Sequence, residues 1–314
     1  MGRDAFPLVW IAADWGSSQL RLWALDAEDR PLAQQSLPQG MARLTPDQFE
    51  PTLHTALAPW LAAAAGSAPL PLLICGMAGA RGGWMEVPYA LLPAQPPFGA
   101  PQRVPTRHPR LQVSILPGLA QQQPYDVMRG EETQIAGFLA AQPGYSGWLL
   151  LPGTHSKWVA LEAGRITRFR TFISGELFAL LSEQSLLRQL VAPPAGSTGE
   201  GTAQTAAFDA GVMQSYQSPA QISAALFGLR AEALLADLNA EAARARLSGL
   251  ILGLELASMA AECRNQPLAL LGAEGLVARH QAALALVEIE AEAYPVAKLT
   301  RQGLILAYRH YLAR

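Results

Sequence analysis

Ile11-Ala12-Ala13-Asp14-Trp15-Gly16-Ser17-Ser18-Gln19-Leu20-Arg21-Leu22-Trp23-Ala24-Leu25 reads as a β-hairpin. An apolar run from Leu8 to Ala13 ends in an acid. A Gly-Ser-Ser turn follows, and Leu20, Leu22 and Ala24 then fall on alternate positions. The turn offers hydroxyls and backbone N–H groups. Asp14, where the first strand ends, suits a carboxylate that holds Mg²⁺ through water. A plain hairpin turn asks only for glycine and polar neighbours, and an acid with two serines exceeds that need.

A second stretch repeats the design. Leu151-Pro152-Gly153-Thr154-His155-Ser156-Lys157-Trp158 follows the apolar run Trp148–Leu151. Gly153 lets a ligand approach the backbone, Thr154 and Ser156 offer donors, and Lys157 offers a positive charge. Such a loop can hold an anion, although turn chemistry alone also accounts for Gly, Thr and Ser. Both loops join strand to strand. That separates them from the strand-to-helix phosphate loop that Gly-Thr-His-Ser-Lys would otherwise suggest.

The chain of 314 residues is long enough for two domains, and at 50 % hydrophobic residues it can bury a sizeable core. A formal net charge of −2 and the absence of a basic run argue against a partner recognised through phosphate neutralisation. No 18-residue apolar stretch indicates a membrane span, and the N-terminal residues Met1–Pro7 lack a signal-peptide core. Cys75 and Cys263 lie far apart and read as reduced thiols of a cytoplasmic protein, Cys75 as a small buried hydrophobe.

Working outward, Leu8–Ala13, Arg21–Leu25 and Pro31–Leu37 read as an antiparallel meander. A helix over 46–66 carries Phe49, Leu53, Ala56, Leu57, Trp60 and Leu61 at helical spacing after a Thr45-Pro46-Asp47 start. Leu70–Cys75 is a buried strand. Residues 88–110 are proline-rich and irregular. Val113–Leu116 reads as a strand and Thr133–Ala141 as a helix. The second half repeats the plan: strand Gly147–Leu151, hairpin Trp158–Leu161 and Arg165–Phe169, then a helix from Glu176. Amphipathic helices follow at 202–216, 220–238, 240–264, 275–284 and 298–313. Breaks fall at Pro193–Gly201 and Gln217–Pro219, and Asn265–Leu271 is a short strand. The halves begin alike in layout, without a residue-level repeat.

Five blocks in this order carry a family resemblance: Asp14-Trp-Gly-Ser-Ser with Arg21; Gly76-Met-Ala-Gly-Ala-Arg-Gly-Gly-Trp84; Met128-Arg-Gly-Glu-Glu-Thr-Gln134; Leu151-Pro-Gly-Thr-His-Ser-Lys-Trp158; and Phe172-Ile-Ser-Gly-Glu-Leu-Phe178. Together they resemble 2-dehydro-3-deoxygalactonokinase, a family of the sugar kinase, hsp70 and actin superfamily, from about residue 8 to about residue 310. The resemblance implies an α/β protein of the actin-like ATPase fold, with two ribonuclease H-like domains, 1–143 and 144–314, flanking an ATP cleft. It implies ATP and Mg²⁺ as cofactors, and transfer of a phosphoryl group to the 6-hydroxyl of 2-dehydro-3-deoxy-D-galactonate in galactonate catabolism. As partners it implies the small sugar acid and ATP, with no nucleic acid and no membrane, and it allows a homodimer. The Gly76–Trp84 block departs from the family's more polar pattern at Ala78, Ala80 and Gly82, which bears on how sugar hydroxyls are recognised.

Roles follow from that reading. Asp14, Gly16, Ser17 and Ser18 form the first phosphate loop, with Asp14 toward the metal. Gly153, Thr154, His155, Ser156 and Lys157 form the second, His155 ordering the loop, while Gly272 and Ala273 in Leu270-Leu-Gly-Ala-Glu-Gly-Leu276 hold adenine. The catalytic acid is Glu131 or Glu132. Read alone, that pair is explained by the preference of acids for a helix N-terminus. In the superfamily an acid, usually Asp, precedes the second phosphate loop, and adjacent side chains on a helix point about 100° apart, so one of the two faces the chemistry. The substrate's carboxylate calls for a guanidinium, with Arg81 first and Arg21 or Arg170 as alternatives. Trp84 walls the sugar pocket and Glu176 bonds its hydroxyls or caps the helix. Two other functions compete: a kinase of the same fold acting on another sugar or amino sugar, and a non-catalytic nucleotide-binding regulator. The acids and hydroxyls in both loops weigh against the regulator.

Overall fold

The computed structural model describes residues 7–64, 68–192, 202–236 and 238–313; the expected break at Pro193–Gly201 lies outside the described residues. The chain divides into two compact units. The first comprises Met1–Tyr145, Leu161–Arg168 and Val296–Arg314, the second Ser146–Ala160 and Phe169–Pro295.

In the first unit β1 (Trp10–Trp15), β2 (Leu20–Leu25) and β3 (Pro31–Leu37) form the expected meander. β1 is buried along its whole length, whereas β3 alternates toward exposure, as an edge strand does. Helix α1 (Phe49–Ala63) buries the six residues read from its period against this sheet and starts after a Thr45–Gln48 capping box. Then come β4 (Leu70–Gly76), β5 (Ala90–Leu91), β6 (Gln102–Arg103) and β7 (Leu111–Ile115), followed by β8 (Leu119–Gln122), β9 (Tyr125–Met128) and α2 (Glu131–Ala141). The sheet order is β3-β2-β1-β4-β7-β6, with β4 parallel to both β1 and β7. β5, β8 and β9 make a separate small sheet, which the proline-rich pattern did not announce.

In the second unit β10 (Gly147–Leu151) is followed by β11 (Ser156–Glu162), β12 (Arg165–Phe172) and α3 (Ser174–Glu183), although Leu161–Arg168, at the β11–β12 turn, clusters with the first unit. Helices α4 (Arg188–Val191), α5 (Thr202–Gln217), α6 (Ile222–Leu235) and α7 (Ala240–Cys263) lead to β13 (Leu268–Gly272), α8 (Glu274–Ala285) and β14 (Glu292–Pro295). Asn239 caps α7 by accepting from the Ala242 N–H at 2.9 Å. The sheet order is β12-β11-β10-β13-β14, with β10, β13 and β14 parallel.

Apart from the short β6, which pairs antiparallel with β7 at the outer edge of the first sheet, both sheets run 3-2-1-4-5 in chain order, each with a leading hairpin and two parallel strands added beside the first. This is the ribonuclease H-like arrangement, present twice, and the protein is an α/β chain of the actin-like ATPase class. The last helix, α9 (Val296–Tyr311), falls in the second half under the expected division at 143/144, but it clusters with the first unit. Its fit is tight. A Cβ at Gly137 would lie 1.9 Å from the Leu299 carbonyl oxygen, and one at Gly303 would lie 1.9 Å from the Thr133 carbonyl oxygen, so α2 and α9 approach backbone to backbone. Trp10 stacks on Tyr308 at 4.0 Å, seating α9 on the face of β1 opposite α1.

Candidate active site

Register explains the first cluster. In the β1–β2 hairpin Asp14 pairs with Arg21, and across the parallel ladder it pairs with Cys75. The Arg21 guanidinium therefore donates to the Asp14 carboxylate. Asp14 is buried, and burial raises its pKa above the usual carboxylate range although Arg21 works against it. The turn is closed by the Gly16 N–H donating to the Gln19 carbonyl at 2.9 Å. Residues 40–42 donate to the carbonyls of Ser18, Gly16 and Ser17, which leaves both serine side chains exposed at the rim.

Beside Asp14, β4 ends at Gly76 with φ +93°; a Cβ there would sit 2.7 Å from the Trp15 carbonyl oxygen and 3.3 Å from Asp14 Oδ1. Gly130, φ +106°, packs against Gly76 in turn. Two glycines thus let α2 begin directly beside the carboxyl ends of two parallel strands, the ordinary position for a ligand in an α/β sheet. Both acids lie inside the first turn of α2, two residues earlier than the helix read from sequence. Glu131 accepts from the Arg129 N–H at 3.0 Å. Glu132 is 2 % exposed and accepts from the Gly130 N–H at 2.6 Å and from the Thr133 hydroxyl at 3.0 Å. Burial, then the charge of Glu131, pushes its pKa up to about 8. Thr133, which fixes the carboxyl's orientation, was not singled out from the sequence.

The arginine and tryptophan of the Gly76–Trp84 block point differently. Arg81 is exposed, with Nε 3.4 Å from Glu86 Oε1. Trp84 is half-buried, stacked on Phe49 and edge-on to Trp15, each at 6.2 Å.

In the second unit four residues join β10 to β11, a connection that permits only antiparallel pairing. Gly153 and Thr154 lie in this loop. Ser156 and Lys157 lie inside β11 and are buried, and the Lys157 ammonium donates to Thr171 Oγ1 at 2.8 Å. Lys157 is therefore not the solvated loop residue that its sequence neighbours allow. His155 Nε2 lies 2.7 Å from Glu176 Oε2. The start of α3 rests on the loop: the Glu176 N–H donates to the Thr154 carbonyl at 2.9 Å, and a Cβ at Gly175 would meet the Gly153 carbonyl oxygen at 2.3 Å. Gly175, more than Gly153, is the glycine the packing demands. Beneath, Glu255 is 2 % exposed and accepts from Trp158 Nε1 at 2.7 Å and from the Ser174 hydroxyl. A lone acid in the apolar run Leu250–Leu256 was its only sequence signal. Gly272 ends β13, where a Cβ would crowd Pro152 and Val277 at 3.0 Å each, and Ala273 precedes α8. Arg170 is occupied by Glu262 at 3.1 Å.

Comparison with known proteins fits this picture. The family model described as 2-keto-3-deoxy-galactonokinase matches residues 14–307. A Rhizobium meliloti (strain 1021) protein assigned as 2-dehydro-3-deoxygalactonokinase is 37 % identical over 303 residues, 96 % of each chain. The Escherichia coli (strain K12) 2-dehydro-3-deoxygalactonokinase is 34 % identical over 277 residues, 87 % of this chain and 88 % of that one. A crystal structure assigned to the same enzyme, from Sinorhizobium meliloti, superposes with a TM-score of 0.87 at 36 % identity, covering 97 % of this chain and all of the other. By a match that runs from Asp14 to Ala307, the chain belongs to the 2-keto-3-deoxy-galactonokinase family.

Proposed function

We propose that the chain transfers the γ-phosphoryl group of ATP to the 6-hydroxyl of 2-dehydro-3-deoxy-D-galactonate, a step of galactonate catabolism in the cytoplasm. Its family makes it a phosphotransferase. The observation that carries the finer reading is the family match across residues 14–307, which includes both loops and the buried carboxyl of Glu132. No helix among the described residues is long and apolar enough to cross a membrane, and both free cysteines are buried.

Phosphoryl transfer asks for positioning, charge neutralisation and an acceptor for the hydroxyl proton. Glu132 is the base in this reading. With a pKa of about 8 it is mostly protonated at pH 7; its ionised fraction, which grows as the pH approaches 8, is a stronger proton acceptor than an ordinary carboxylate, and bonds from Gly130 and Thr133 fix its direction. Glu131 supplies the neighbouring negative charge. Ser17 and Ser18, with the backbone of Gly16, bind phosphate from the first loop. In the loop of the second unit Gly153, Thr154 and His155 are the phosphate-binding groups, and Glu176 holds the His155 ring. Ser156 and Lys157 support that loop from within β11. Gly272 and Ala273 take the adenine. Arg81 and Trp84 line the sugar side, with Arg21 steadying Asp14.

Among the described residues no three His, Cys, Asp or Glu side chains converge to cage a metal. One carboxylate plus substrate phosphates is a donor set that Mg²⁺ ordinarily accepts, so Asp14 fits the ion. When bound, Mg²⁺ would neutralise phosphate charge.

The test is ADP release from a panel of 2-keto-3-deoxy sugar acids and amino sugars, monitored by a coupled assay. Turnover of 2-dehydro-3-deoxy-D-galactonate above the amino sugars is the expected result. Failure to phosphorylate any sugar acid sinks the reading.

A further inference from the structure

Arg129 is a buried charge without a counter-charge. Its residue is 8 % exposed. Nη2 donates to the Val87 carbonyl at 2.7 Å, and the Tyr89 ring centroid lies 4.3 Å from Cζ. Nε and Nη1 have no hydrogen-bond acceptor, and among the described residues no carboxylate pairs with the guanidinium. Three of the five N–H donors of an arginine sit on those two nitrogens. A buried cation left this way is costly unless something completes it, and a guanidinium is completed best by a planar anion held through a fork of donors.

Its surroundings indicate the anion. Nη1 looks onto Gly79, where a Cβ would come within 2.9 Å of it, so glycine in the Gly76–Trp84 loop is what leaves room for the guanidinium. The next residue, Gly130, packs against Gly76, and Glu131 and Glu132 follow at once. Cation and proposed base are thus placed by one short segment. A six-carbon sugar acid has its carboxylate and its terminal hydroxyl at opposite ends, and needs one group of each kind.

We propose that Arg129 is the substrate-specificity residue for the carboxylate of the sugar acid, the Gly79 loop shifting to admit that carboxylate to Nε and Nη1. Exposed Arg81, already shared with Glu86, contributes less. The inference rests on the sugar-acid reading above.

The experiment compares the native protein with Arg129→Lys and Arg129→Met, using the sugar acid and its neutral C1 amide. Binding is followed by tryptophan fluorescence and turnover by ADP release. Arg129→Met should raise KM for the acid on the order of 100-fold, the usual loss on truncating one side of a buried, hydrogen-bonded charge pair. KM for ATP should stay at the native value, and turnover of the amide should fall far less than that of the acid. Arg129→Lys, which keeps the charge and loses the fork, should also show a smaller acid-over-amide preference. An unchanged preference in either folded variant overturns the inference, as does an equal loss on acid and amide, which a merely structural arginine would give. No turnover of the acid by the native chain would instead remove the sugar-acid reading itself.

Discussion

Replacing Glu132 by Gln should remove activity and stabilise the protein, increasingly so as the pH rises. The amide is isosteric, so its oxygen can keep the bond from the Gly130 N–H, and the Thr133 hydroxyl can turn to accept instead of donate. What disappears is the ionisation. A carboxyl whose pKa moves from 4.5 unfolded to about 8 folded binds its proton more tightly in the native state. Its contribution is favourable below pH 4.5 and is lost as the pH climbs toward 8. At 1.36 kcal/mol for each pH unit, the full difference is roughly 5 kcal/mol, and water entry and local relaxation reduce it to a few. Thermal unfolding of native protein and E132Q between pH 5 and pH 8.5 measures it. The two curves should nearly coincide at pH 5, and the variant should be the more stable by about 2–4 kcal/mol at pH 8. Turnover should fall by at least about 100-fold, the usual contribution of a general base, while ATP still binds. A stability gap that does not change with pH, or an active E132Q, refutes the reasoning.

Two further outcomes test the architecture. Gly76→Ala puts a Cβ 2.7 Å from the Trp15 carbonyl at φ +93°; it should cost about 2–3 kcal/mol and lower kcat by displacing Asp14, measured by urea unfolding and ADP release. Ser174→Ala removes one of two donors to buried Glu255 and should cost about 1–3 kcal/mol while leaving KM for the sugar acid unchanged, measured by the same two methods.

Periodicity made much of this protein legible. The meander, α1 and the strand into Gly76 were visible because alternation and helical spacing report directly on which face is buried. The pairing of Asp14 with Arg21 also follows from hairpin register, but only once the turn is known to close between Gly16 and Gln19. The hairpin Leu119–Met128 was missed because its residues alternate weakly and it shields little core. The buried partners Thr133 and Glu255 were missed for another reason. Glu255 meets partners distant in sequence and Thr133 is turned inward by a helix start, and a single sequence does not show such contacts. The motif around Arg129 does not disclose its role, since an unanswered charge is visible only when its surroundings are.

The seat of α9 has a consequence for how the chain is made. The helix that begins with Glu131 and Glu132 is braced through Gly137 and Gly303 by residues synthesised after the entire second unit. Until they emerge, the face of β1 and β4 that receives Leu304, Ala307 and Tyr308 stays wet. The nascent first unit is therefore an unfinished sheet awaiting its cover, and it is there, rather than in the second unit, that a ribosome-bound intermediate would offer chaperones their apolar surface.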